Sequence, residues 1–151
     1  MKTRAAWVLA LVLVFAAVPA FGKEDEAKKD LEKLQGEWVI VSAERDGQPA
    51  PKEETASLKR TVKGDEYTVT RNGETIGKGK YRMDPTKKPK SIDAITKSED
   101  GEEITLQGIY EFEGETYKVC FAMPGHPRPT DFKTSENSGR TLTVSKRAGA
   151  K

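Results

Sequence analysis

Few residues in this chain belong to the types that carry reactions, and they do not converge. His126 is the only histidine and Cys120 the only cysteine. His126 stands in Pro124-Gly125-His126-Pro127-Arg128-Pro129, a proline-stiffened loop. A general base there would need a nucleophile and an orienting acid, and neither lies at a recognisable spacing. One His and one Cys make no zinc set, and Gly-x-Ser-x-Gly is absent. The pairs Glu53-Glu54 and Glu102-Glu103 fall at a loop and a turn. Adjacent strand residues point to opposite faces, so neither pair reads as a carboxylate dyad. The sequence therefore predicts no catalytic residue, no metal site, no cofactor and no enzyme. Lys87, Lys88 and Lys90, with Lys78 and Lys80 before them, form the one basic cluster. Without interleaved aromatics it reads as a solvated loop rather than a nucleic-acid surface.

The aromatic residues are the better candidates. Trp38, Tyr67, Tyr81, Tyr110, Phe112, Tyr117 and Phe121 all lie in segments where apolar and polar residues alternate, which directs them to one face of a sheet. If Tyr117, Val119 and Phe121 face inward, Cys120 faces outward. It is then a reactive thiol or, as favoured, a small apolar residue beneath a loop or the N-terminal segment. An interior of this kind is either filled by its rings or just roomy enough for one small ligand. In the second case Tyr67, Tyr81, Tyr110, Tyr117 and Phe121 would line it.

The elements that must position these rings are short strands joined by tight turns. Alternation predicts strands over 37–45, 57–63, 66–71, 74–83, 90–97, 103–112, 115–122 and 140–147, with a short piece around Phe132. Asp46-Gly47, Gly64-Asp65, Asn72-Gly73, Asp100-Gly101 and Glu113-Gly114 punctuate them, Asn72-Gly73 most strongly. Residues 48–55, 84–89 and 123–129 carry prolines and read as loops. Gly77 and Gly79 share a face, where they would allow the sharp bend that closure needs. Before the first strand, Asp30 can cap a short helical turn carrying Leu31 and Leu34 and ending at Gly36. The fold class is thus all-β, an antiparallel up-and-down barrel of about eight strands with a short N-terminal helical turn.

The chain opens with Lys2 and Arg4, an apolar run and small residues, the pattern of a secretory signal peptide over residues 1–22. Cleavage falls before Phe21 or before Lys23. The apolar run is short for a membrane span, so no stable anchor is expected. Lys2 and Arg4 carry the whole formal excess of +2. The mature chain is then near neutral, and its charge does not point to nucleic acid. The expected organisation is a charged tail over 23–30, the barrel over 31–147 and a disordered end over 148–151. Export through the Sec route to the periplasm or medium follows.

Gly36-Glu37-Trp38, opening such a meander, resembles the Gly-x-Trp signature of lipocalins and the wider calycin group. That resemblance implies that Trp38 seals one end of the barrel under a basic residue of the last strand, Arg147 in preference to Lys146. A second resemblance spans nearly the whole mature chain. It rests on Leu34-Gln35-Gly36-Glu37-Trp38, Asp84-Pro85-Thr86-Lys87-Lys88-Pro89-Lys90-Ser91-Ile92-Asp93, Gly108-Ile109-Tyr110, Tyr117-Lys118-Val119-Cys120, Arg128-Pro129-Thr130-Asp131-Phe132 and Leu142-Thr143-Val144-Ser145-Lys146-Arg147. These blocks look like a family of small secreted lipocalin-like domains found in planctomycete bacteria, which has no established biochemical role.

Two functions are compatible with these features. The first is an exported protein binding a small, partly apolar molecule inside the barrel, with loops 84–89 and 123–129 as lips of its open end. The second is a secreted protein-interaction or inhibitor module, in which a filled barrel presents those same loops to a protein partner.

Overall fold

β-branched and aromatic residues alternating with charged ones give strands wherever a turn dipeptide reverses the chain. The computed structural model describes residues 22–149. The expected signal peptide up to its last residue, and the final two residues, lie outside them. Helix α1 (Lys23–Leu34) leads into β1 (Gly36–Arg45), the short β2 (Gln48–Pro49) and the one-turn α2 (Lys52–Ala56). Then follow β3 (Leu58–Lys63), β4 (Glu66–Arg71), β5 (Glu74–Asp84), β6 (Ser91–Lys97), β7 (Glu103–Glu113), β8 (Thr116–Ala122) and β9 (Arg140–Arg147). Among these residues nine strands form one sheet in the order β2-β1-β3-β4-β5-β6-β7-β8-β9, and β1 pairs again with β9. All pairings are antiparallel. β2 only extends β1 at one end, so the other eight strands close an up-and-down barrel without a free edge.

The turns sort to two ends. At the floor lie α1, the Gly64-Asp65 turn, the 84–90 loop and the turn at Gly114. Gln35 Nε2 donates to Gly64 O, and Lys23 pairs with Asp84 at 2.9 Å. At the rim lie the turns at Gly47, Gly73 and Gly101, α2, and the start of the 123–139 connection. In the floor half Leu34, Trp38, Val62, Met83, Ile92, Tyr110 and Tyr117 are all buried. Toward the rim, Val69, Leu106 and Phe121 are only partly buried against that core.

Several expectations are corrected. The helix begins at Lys23 rather than as a turn at Asp30, with Glu24, Asp25 and Glu26 favourably placed at its positive end. Asp30 is therefore inside the helix, not capping it, and is buried. Residues 48–55 hold β2 and most of α2 instead of a plain loop, and no strand forms around Phe132. Loop 84–89 is no lip of the open end, because it is tied to α1 at the floor. Loop 123–129 starts at the rim but then turns back along the outer wall. There Arg128 Nη1 donates to Ile92 O at 3.1 Å and Gly108 O at 2.8 Å, and Nη2 meets Asp93 at 2.7 Å. Ala148 donates its backbone N–H to Glu37 O at 2.9 Å.

That returning segment makes part of the barrel apolar on both faces. Cys120 and Ile109 point outward in register with each other, yet both are fully buried. Leu142, opposite Cys120, shares that outer face, so the inward positions of β9 are Thr141, Thr143 and Ser145. A bulge between Ile40 and Ser42 shifts the phase of β1 and leaves Val41 exposed.

Gly79 shows how tightly the wall is fitted. It faces inward opposite Tyr67. A Cβ there would collide with Ile95 O and lie 2.9 Å from the Tyr67 ring. At Gly77, on the same face, a Cβ would meet nothing within 4 Å. Gly79→Ala is therefore expected to destabilise the barrel by about 1–3 kcal/mol through overpacking. Gly77→Ala is expected to stay within about 0.5 kcal/mol of the parent. Urea denaturation of the two variants reads the difference.

Candidate functional site

The floor of the barrel is built from both chain ends. Gly36 takes a φ of +103°, which a side chain would resist, and so swings the chain from α1 into β1. Two residues on, Trp38 Nε1 donates to Leu34 O at 2.8 Å. The Arg147 guanidinium lies 4.5 Å from the centre of the Trp38 ring. It donates to Gln35 O at 2.7 Å and Lys33 O at 2.5 Å, and its Nε meets Glu115 at 3.2 Å. Lys146, the alternative to Arg147, is exposed.

Above this floor the rings interlock. Tyr67 and Tyr81 stack at 4.3 Å, and Tyr117 touches Trp38 and Phe112 with centroids 5.8 and 5.2 Å away. Tyr110 reaches the floor. Its hydroxyl donates to Asp30 Oδ2 at 2.7 Å, and Lys90 Nζ meets the same oxygen at 3.0 Å. Burial works to raise the Asp30 pKa. The hydrogen bonds from Tyr110 and Lys90, with the charges of Lys90 and Lys33, outweigh it and hold the carboxyl below its ordinary value. Burial, and then the bond to Asp30, push the Tyr110 phenol far up. Tyr81 is raised to about 12, again by burial, with nearby Arg60 opposing the rise. Phe121, by contrast, sits toward the rim, its ring laid across Gly108 where a Cβ would come within 2.6 Å.

The feature that strand alternation carries but that was not singled out is Arg60. It is in phase with Leu58 and Val62 on β3, opposite Trp38 and Val69. A cation in an apolar phase is the signal that marks it. Arg60 is 6% exposed. Its charge reaches Tyr67, Tyr81 and Tyr117, and it lies 5.9 Å from the Tyr117 ring centre. Neither Nε nor Nη1 has a hydrogen-bond partner on the protein, and the same holds for Tyr117 Oη and Ser145 Oγ. Tyr117 and Ser145 are direct cross-strand neighbours. A guanidinium cannot escape burial by losing its proton. Removing such an ion from water costs on the order of several kcal/mol even after relaxation. Ring contacts recover only about 2 kcal/mol or so.

The remaining sequence candidates stay apart from this interior. The His126 ring packs on Gly139 at the surface. Among the described residues no three His, Cys, Asp or Glu side chains stand together as a metal set. Lys87 and Lys88 border an outer groove of about 1060 Å³ between α1, the 84–90 loop and residues 128–130. Two of its acids are already paired there, Asp84 with Lys23 and Asp93 with Arg82 and Arg128.

Two outcomes follow. Asp30→Asn is expected to cost about 1–3 kcal/mol at neutral pH, since it removes a charged acceptor from buried donors. Because the Asp30 pKa is depressed on folding, its contribution is complete above the unfolded value of 3.8 and fades as pH falls through the folded one. Denaturation curves of parent and variant should therefore converge below about pH 4. Cys120, fully buried and with its thiol pKa raised by that burial, should react with an aromatic disulfide reagent only at the rate of unfolding. Prompt native reaction would place it at the surface.

Compared with protein-family models, with curated proteins and with solved structures, the chain matches none.

Proposed function

We propose that this chain is an exported, lipocalin-like binding protein that admits a small, partly apolar molecule through the rim opposite α1. It carries out no reaction on that molecule. Export rests on the leader pattern of the first residues. The binding reading rests above all on one observation: four polar atoms inside the barrel, on Arg60, Tyr117 and Ser145, are buried without a protein partner. Buried polar groups are ordinarily satisfied, and a bound molecule is what would satisfy these. The partly buried Val69, Leu106 and Phe121 supply apolar surface on the way in.

The alternative of an interaction module on loops 84–89 and 123–129 has less support. Both loops are pinned, one to α1 and the other to the outer wall. The exposed large hydrophobics among the described residues, Val41, Ile76 and Met123, lie on β1, on β5 and just past β8, not on one face of a loop pair.

The neutral dye N-phenyl-1-naphthylamine tests the binding reading. The purified protein, with its leader removed, should enhance the dye's emission saturably. Phe121→Glu at the rim should weaken binding at least tenfold, while Ile76→Glu on the outer face should leave it unchanged. Equal binding by all three, or none by the parent, would refute entry into the barrel.

A further inference from the structure

Arg60 says more about the occupant than that it is small. Below the rim turns, the inward positions of β3 to β8 alternate through Leu58, Arg60 and Val62, Tyr67 and Val69, Tyr81 and Met83, and on to Tyr117, Val119 and Phe121. No Asp or Glu stands among them. Asp30, the buried carboxylate at the floor, is already taken by Tyr110 and Lys90. No carboxylate among the described residues comes within 4.0 Å of Arg60, although ten other ion pairs of that length form. Among the described residues a permanent cation is thus enclosed with no carboxylate as counter-charge. The chain adds two further unpartnered donors, the hydroxyls of Tyr117 and Ser145.

Resting on the binding role above, we infer that the barrel takes an amphiphilic carboxylate, entering head-first, with Arg60 as its anchor. An arginine buried without an acid is stabilised by an oxyanion that brings the missing charge and accepts several N–H bonds. Tyr117 and Ser145 flank the head as hydroxyl donors. The tail runs back past Val69, Leu106 and Phe121, where the wall is apolar and only partly buried. Selectivity follows from the same arrangement. A neutral analogue gains the apolar contacts but leaves the guanidinium without a counter-charge, so it binds more weakly than the acid.

The test uses straight-chain carboxylates from acetate to decanoate, the alcohols of equal length, and inorganic phosphate, each followed by calorimetry and by the rise in melting temperature. The parent should bind octanoate or decanoate at least tenfold more tightly than the matching alcohol. Acetate and phosphate should bind weakly. Arg60→Met should abolish the preference for acid over alcohol, and Arg60→Lys should retain part of it. The Arg60 Nε–H resonance should move on saturation with the acid and not with the alcohol. That readout stands even where Arg60→Met fails to fold. Equal affinity for acid and alcohol would overturn the anion assignment while leaving the dye-binding pocket intact. A preference that survives Arg60→Met would place recognition elsewhere, in the lysine-bordered outer groove. Phosphate binding as tight as decanoate would exclude a tail. No binding by any acid in a parent that still binds the neutral dye would overturn the inference alone. No binding of either would remove the pocket as well.

Discussion

The barrel depends on how its first and last strands are locked across one tryptophan. Trp38 is held from below by its N–H bond to Leu34 O and covered by the Arg147 guanidinium. Arg147 in turn reaches two carbonyls at the C-terminal end of α1, Lys33 O and Gln35 O. That end of a helix carries the negative pole of its dipole and free carbonyls, so a cation is well placed there. One side chain thus joins the helix, β1 and β9. Because Trp38 and Arg147 are register partners, this contact and the closing of the sheet are a single event. Either makes the other favourable.

Sealing one end divides the interior into two unequal halves. Near α1 the Asp30 site is matched: a carboxylate nearly out of water accepts from a phenol and an ammonium. Arg60, opposite Trp38 on β3, is buried to a similar degree; Nε and Nη1 have no partner, and the neutral Tyr81 phenol is the group that hydrogen-bonds to it. Both are charges removed from solvent, and the same desolvation acts on each. They differ in what the chain supplies as partners. The structure spends its acid on the floor, where it fixes Tyr110 and Lys90, and none near Arg60.

Much of this fold is legible in the alternation. The turn dipeptides Asp46-Gly47 and Asn72-Gly73 fall where strands reverse, because each needs a backbone conformation that few residues accept, whereas Glu113 still belongs to β7 and the turn is Gly114-Glu115. The inward ranking of Tyr67, Tyr81, Tyr110, Tyr117 and Phe121 follows from period two alone. What alternation cannot carry is information held by distant contacts. Asp30 reads as a cap because a lone Asp before a leucine pair commonly is one. Its true partners lie 60 and 80 residues away. The outward phase of Leu142 and Cys120 depends on the 123–139 segment covering that wall, which nothing local announces. The bulge at Val41 likewise adds a residue that the pattern does not mark. Arg60 was visible, but only as an irregularity in a strand. Its meaning came from what does not stand beside it once the sheet is closed.

The outer groove and the barrel interior differ in chemistry. The groove beside α1 is a space of about 1060 Å³. Yet two of its acids, Asp84 and Asp93, are met by Lys23, Arg82 and Arg128, and its lysines are exposed, where charges gain about 1 kcal/mol or less from a partner. A ligand there would exchange water for contacts that are scarcely better. In the barrel interior the Arg60 cation is almost out of water and meets no carboxylate among the described residues. An incoming carboxylate there does not compete with an existing pair. The free energy released on binding is set by the unmet demand of the site, and among the described residues that demand is concentrated around one guanidinium rather than in the outer groove.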